Sequence, residues 1–239
     1  MTPLSQRCKL NAMPRNARYA PGGLVYHVLN RANDRQPIFE TDDDYLAFLR
    51  VVRDTLDKQP MRLLAYCLMP NHWHLLLWPR EAGQLGAFMQ TLTTTHARRW
   101  RRHRRTVGEG HLYQGTYKSF PVQDDPHFYQ VARYAERNAL RAELVDRAED
   151  WRWGSLWQSA QTALPDDYPP LANWPLARPR QWRAMVNRVE TAAELEALHT
   201  ALRRGRPFGT GAWQKRTARR LGIESTLRPR GRPRKRPQK

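Results

Sequence analysis

His72-Trp73-His74 is the first place where residue type and spacing could do chemistry. In an extended strand, residues i and i+2 point to one face. Two imidazoles are then side by side, roughly 7 Å apart at Cβ, within the span of a single metal ion, while Trp73 points the other way. The plain alternative is a pair of half-buried strand histidines with ordinary hydrogen bonds. Tyr134 and Asn138 are four residues apart, one helical turn. A tyrosine hydroxyl attacks a phosphodiester when its proton leaves and a cation draws charge from the phosphate. An amide oxygen one turn away could reach that cation. Here the alternative is helix aromatics, Tyr129 and Tyr134, packing on a sheet, with Asn138 ending the helix.

The elements that must position these residues read as follows. Residues 24–31 are rich in β-branched and aromatic side chains and predict a strand. Asp42-Asp43-Asp44 opens a helix over about 42–58, with Tyr45, Leu46, Phe48, Leu49, Val52 and Leu56 near helical spacing. Strands over about 61–68 and 72–78 flank Met69-Pro70-Asn71. A helix over 83–104 carries Leu85, Phe88, Met89, Leu92, His96 and Trp100 on one stripe. A strand over 116–122 and a helix from Pro126 to about 140 follow, with proline near the first helical turn. The order β-α-β-β-α-β with a further helix predicts an α+β, ferredoxin-like sheet with helices on one face.

Charge gives the partner class. Lys plus Arg is 41 against 22 acids, a net of +19, and residues 203–239 alone hold 14 basic residues and one acid, Glu224. Such an excess calls for a polyanion, and nucleic acid is the commonest. The tail is broken by Pro and Gly and offers no amphipathic face for a membrane. His96 to Arg105 contains six Arg and no acid. Within it, Arg98, Arg101, Arg102 and Arg105 share a helical face by spacing, which suits a phosphate backbone. Trp100 is expected in the core. His27 is expected to pack in the core, with an approach to the site as the alternative, and His96 and His103 to face DNA or water. No apolar run is long enough to span a membrane, no signal-peptide pattern is visible, and Cys8 and Cys67 cannot form a zinc finger or a disulfide framework. A cytoplasmic, nucleoid-associated protein is expected.

The chain resembles the HUH-type single-tyrosine transposases of the insertion-sequence-200-like kind, and most of all their REP-associated branch. The residues that carry the resemblance are Met69-Pro70-Asn71-His72-Trp73-His74-Leu75-Leu76, Tyr117-Lys118-Ser119-Phe120, Tyr134 through Asn138, and Asp150-Trp151-Arg152-Trp153-Gly154-Ser155. Met13-Pro14-Arg15, Tyr26-His27-Val28, Arg31-Ala32-Asn33 and Arg204-Gly205-Arg206-Pro207-Phe208-Gly209 fit as well. The resemblance implies that His72, His74 and Asn138 are metal ligands for Mg²⁺ or Mn²⁺ and that Tyr134 is the nucleophile. Ala139-Leu140 follow Asn138 where many relatives have proline. It also implies an enzyme that cuts and rejoins single-stranded or hairpin DNA through a 5′-phosphotyrosine, as a monomer or a homodimer.

DNA contacts are expected from Arg15, Arg18, Arg98, Arg101, Arg102, Arg105 and Lys118, and from Arg230, Arg232 and Arg234 in the tail. Arg230-Gly231-Arg232-Pro233 resembles an AT-hook, which lays arginines in a narrow minor groove. Residues 1–160 are expected to form the catalytic domain, 161–204 a Pro-rich linker or wrap and a helix, and 205–239 a basic DNA-binding tail. A short helix is expected over 213–221. The competing reading is a non-catalytic or domesticated regulator that binds hairpin or A/T-rich DNA. An RNA-binding sheet is disfavoured, because its strands lack spaced stacking aromatics.

Overall fold

The computed structural model describes residues 20–108 and 110–228. Strands β1 (Val25–Arg31), β2 (Arg62–Met69), β3 (His72–Trp78) and β4 (Lys118–Val122) form one antiparallel sheet in the order β2-β3-β1-β4. The helices that cross between them are α1 (Asp42–Lys58) and α2 (Gln84–Arg104). This is the expected ferredoxin-like arrangement.

Strand alternation divides the side chains between two cores. Tyr26, Val28, Trp73, Leu75 and Leu77 face α1 and α2, where Phe48, Leu49, Val52, Phe88, Met89 and Leu92 complete a buried cluster. Both crossover helices thus lie on one face, as the sequence predicts. Thr41 starts α1 with a reciprocal capping box: its hydroxyl accepts from Asp44 N–H, and the Asp44 carboxylate accepts from Thr41 N–H. Trp100 packs on this core and donates its indole N–H to Ile38 O.

The opposite face is covered too, by helices α3 (Pro126–Glu136), α4 (Asn138–Arg141), α5 (Ser155–Gln158), α6 (Trp182–Asn187) and α7 (Ala192–Arg204). Val25, Leu76, Phe120 and Val122 meet Phe128, Val131 and Tyr134 of α3 there, together with Trp182, Val186, Leu198, Ala201 and Phe208. Trp182, Val186, Leu198 and Ala201, from the stretch 161–204, therefore share this core. The single helix expected up to 140 breaks at Arg137 into α3 and α4. The expected helical stretch 180–204 is two helices, α6 and α7.

Both sheet edges are covered, which blocks further strand pairing. On the β2 edge, Leu68 N–H donates to Trp153 O and Ala172 N–H to Leu63 O, while the Trp151 and Trp174 indoles donate to Leu68 O and Leu64 O. The Pro-rich stretch is a wrap. On the β4 edge, where Pro121 is tolerated, Phe208 N–H donates to Pro121 O and Gln123 N–H to Phe208 O. A last helix, α8 (Gly211–Leu221), follows and is capped by Thr210. Arg15, Arg18, Cys8, Arg230, Arg232 and Arg234 lie outside the described residues.

Candidate active site

The sheet register puts the reactive groups in rows. His74 sits between Cys67 and Leu29, and Leu29 in turn pairs with Lys118; His72 sits between Met69 and Arg31. His72 and His74 share the face turned to α3, with ring centroids 5.1 Å apart. Tyr134 comes down from α3, its ring 5.7 Å from that of His74. Asn138 opens α4, one turn on. The break at Arg137 leaves Tyr134 and Asn138 lining one cavity with both histidines, a space of about 610 Å³. Arg31, Lys118, Arg141, His199 and Arg203 also line it. None of the lining residues is a carboxylate, so the cavity is electropositive and fits a phosphate chain.

Burial sets the protonation states. Burial, with Arg31 and Arg141 nearby, pushes the His72 imidazolium down to about 3. His74 is driven well below its usual value by burial, by His27 and His72, and by the two arginines. Both rings are neutral at physiological pH, the form that offers a lone pair. Burial raises the Tyr134 phenol; Arg141 and Arg31 oppose that, and Glu190 adds to it.

The donor set fits a divalent cation. Among the described residues no group of three or more His, Cys, Asp or Glu is placed to hold an ion, so the donors are two imidazoles and an amide. His74 Nε2 is buried without a hydrogen-bond partner, and so is Asn138 Nδ2. Turning the Asn138 amide end over end exchanges that nitrogen for Oδ1, an oxygen donor. With no carboxylate among them, these donors would hold a hard ion only weakly by themselves and would gain from a phosphate ligand.

Four residues of this site fall outside the set read from the sequence. His27 is no ordinary core residue: its Nε2 is 2.9 Å from His74 Nδ1, and its ring is 6.1 Å from Tyr134. Arg141 lays its guanidinium 4.2 Å from the centre of the Tyr134 ring and bonds the buried Glu190 at 3.1 and 3.2 Å. Tyr134, Asn138 and Arg141 follow i, i+4, i+7, a spacing that could have revealed Arg141. Arg31 stands across from His72, and its Nε is buried without a partner. His199 arrives from α7, its ring 6.1 Å from Tyr134. No local pattern announces it.

Other expected contacts lie elsewhere. Lys118, by contrast, lines the cavity. Arg98, Arg101, Arg102 and Arg105 are at the far end of α2, on the layer opposite the cavity. Arg105 is no longer helical, and Arg101 donates to Thr106 O at 3.1 Å. His96 does not face DNA or water: it is buried against Phe39, Phe48 and the Tyr113 hydroxyl.

A ferredoxin-like sheet that presents a His-x-His pair to a helix-borne tyrosine is the HUH fold. Residues 22–138, just under half of the chain and including both histidines, Tyr134 and Asn138, match the family model described as "Transposase IS200 like". A curated protein of Haemophilus influenzae, described as a candidate REP-associated tyrosine transposase, is 22% identical over 160 residues, covering 63% of this chain and 89% of that one. A REP-associated tyrosine transposase solved with a REP hairpin is 15% identical, with a TM-score of 0.46, covering 71% of this chain and 92% of its own. A crystal structure of a candidate transposase from Deinococcus radiodurans is 23% identical, with a TM-score of 0.37 and coverages of 47% and 88%. Among the described residues no helix is long and apolar enough to cross a membrane.

Proposed function

We propose that this protein cleaves and rejoins single-stranded DNA through a covalent 5′-phosphotyrosine at Tyr134. One observation carries the reading: Tyr134, His72, His74 and Asn138, drawn from a strand and two helices, line one electropositive cavity with Arg31, Lys118 and Arg141.

The Tyr134 oxygen forms a bond to the scissile phosphorus and loses its proton; the bond from phosphorus to the 3′ oxygen breaks, and that oxygen leaves as a 3′-hydroxyl. Attack by the 3′-hydroxyl of another strand reverses the chemistry and frees Tyr134, so no nucleotide cofactor is consumed. His72, His74 and Asn138 would hold Mg²⁺ or Mn²⁺. When bound, the ion supplies positive charge to the phosphate oxygens. Arg141 adds a fixed cation over the Tyr134 ring, and Arg31 and Lys118 hold the flanking phosphates.

Hairpin DNA of the REP type is the proposed substrate. The description of the curated relative supports it, as does the motif pattern along the chain. Incubating the protein with hairpin oligonucleotides carrying single-stranded flanks, with Mn²⁺, and resolving it under denaturing conditions tests this reading. A DNA-bound species that resists denaturation is the expected result. Tight binding with no covalent species would favour the regulator instead.

A further inference from the structure

An imidazole has two nitrogens, and only the one without a proton can accept a cation. We infer that Asn71 is a positioning residue that locks His72 as the Nδ1–H tautomer and so keeps its Nε2 lone pair available before any ion arrives. The purpose of this lock rests on the cation site proposed above; its geometry does not.

Four atoms fix the tautomer. Asn71 Nδ2 donates to Arg35 O at 3.0 Å. A carbonyl only accepts, so the nitrogen end of the amide is at Arg35 and the oxygen end is opposite. Asn71 Oδ1 lies 2.6 Å from His72 Nδ1. An amide oxygen also only accepts, so the proton is on Nδ1. A neutral ring carries one N–H, and Nε2 is left bare.

The backbone that sets this chain of bonds is strained. Asp34 and Arg35 have φ of 50° and 58°, two consecutive non-glycine residues in the left-handed region. Such strain persists only where surrounding structure over-determines it, and it gathers at functional sites. Here Ala32 N–H donates to Asn71 O, and Ile38 and Phe39 N–H donate to Pro70 O. The strained turn is thus stitched to the β2–β3 turn on both sides, with the Arg35 carbonyl turned to the Asn71 amide.

His74 provides an internal contrast. Its Nδ1 faces His27 Nε2, which can donate or accept, and the outer nitrogens of both rings are buried without partners. No acceptor-only group fixes that pair. His72 is preset, whereas His74 can take either tautomer until a ligand selects one.

The test is made on the ¹⁵N-labelled apoprotein. Long-range ¹H–¹⁵N correlations report which ring nitrogen carries hydrogen, with His72 identified by its loss in His72→Gln. The expected result is a single His72 tautomer, protonated at Nδ1, that becomes a mixture in Asn71→Ala. Calorimetric titration with Mn²⁺ alone should then show roughly 10-fold weaker binding by Asn71→Ala. A wild-type His72 protonated at Nε2 would overturn the lock without any variant. So would an unchanged tautomer in a folded Asn71→Ala. The expected tautomers together with no Mn²⁺ binding by wild type would uphold the lock and reject the cation site.

Discussion

The guanidinium of Arg141 lies 4.2 Å from the centre of the Tyr134 ring and is held there by the buried Glu190. Tyrosine and cation are seven residues apart on consecutive helices, α3 and α4, while the anchoring carboxylate comes from the segment between α6 and α7. The second half of the chain therefore builds part of the site.

Arg141→Ala should slow formation of the covalent adduct by about 100-fold, the usual effect of removing one fixed donor from developing charge. Arg141→Lys should recover only part of this, because an ammonium lacks the planar fork that stacks on the ring and bonds Glu190. Single-turnover rates on one oligonucleotide at saturating DNA make the comparison. Equal rates for all three proteins would remove Arg141 from the reaction.

His72→Ala and His74→Ala should each lower adduct formation at least about 100-fold. Chelation of divalent ions should do the same to wild type, and added Mn²⁺ should restore it. Both rings are already neutral at physiological pH, so raising the pH should not rescue either variant. Full activity in chelator would contradict the cation model.

Asp44 gives a stability prediction remote from the cavity. Burial alone would raise its carboxyl, but the N–H groups of Glu40 and Thr41, and then Arg104, hold it below the usual value. A depressed carboxyl stabilises the fold fully above its unfolded pKa, and this is lost as pH falls through the folded value. Asp44→Asn should therefore cost about 1–3 kcal/mol at neutral pH, and the difference should shrink below about pH 4. Denaturant melts at several pH values measure it. A gap that widens in acid would refute the assignment.

Removing residues 229–239 takes away six basic residues and no acid. The cavity is built from residues upstream of 204, so the covalent step at saturating DNA should be nearly unchanged. Binding should weaken, with a log–log salt slope shallower by about 0.7–0.9 for each phosphate that the tail no longer neutralises. Loss of the adduct at saturating DNA, with the fold intact, would show that the tail helps to build the site.

Much of the fold was legible because period-2 and period-3.6 patterns are local. Strand alternation alone placed His72 and His74 on one face and Trp73 on the other. What the sequence hid was tertiary. His27 reaches His74 only because β1 pairs with β3 in a register that no strand encodes by itself. His199 meets Tyr134 because α7 packs across a face that the order of strands and helices leaves open. The break at Arg137 interrupts a segment whose apolar spacing runs on without a gap. His96 is a different case. It lay on the same stripe as Phe88, Met89 and Leu92, and the nearby arginines outweighed a periodicity that placed it in the core. Arg15, Arg18, Arg230, Arg232 and Arg234 lie outside the described residues.

Covalent capture tests whether Tyr134 is the nucleophile. Wild-type protein and Tyr134→Phe are incubated with a flanked hairpin oligonucleotide and Mn²⁺, denatured, digested and mapped by mass spectrometry. A nucleotide phosphate should appear on the Tyr134 peptide of wild type and not in Tyr134→Phe, which keeps its fold and its DNA affinity because only one hydroxyl is lost. An adduct on Tyr129, or cleavage by Tyr134→Phe at the wild-type rate, would contradict it.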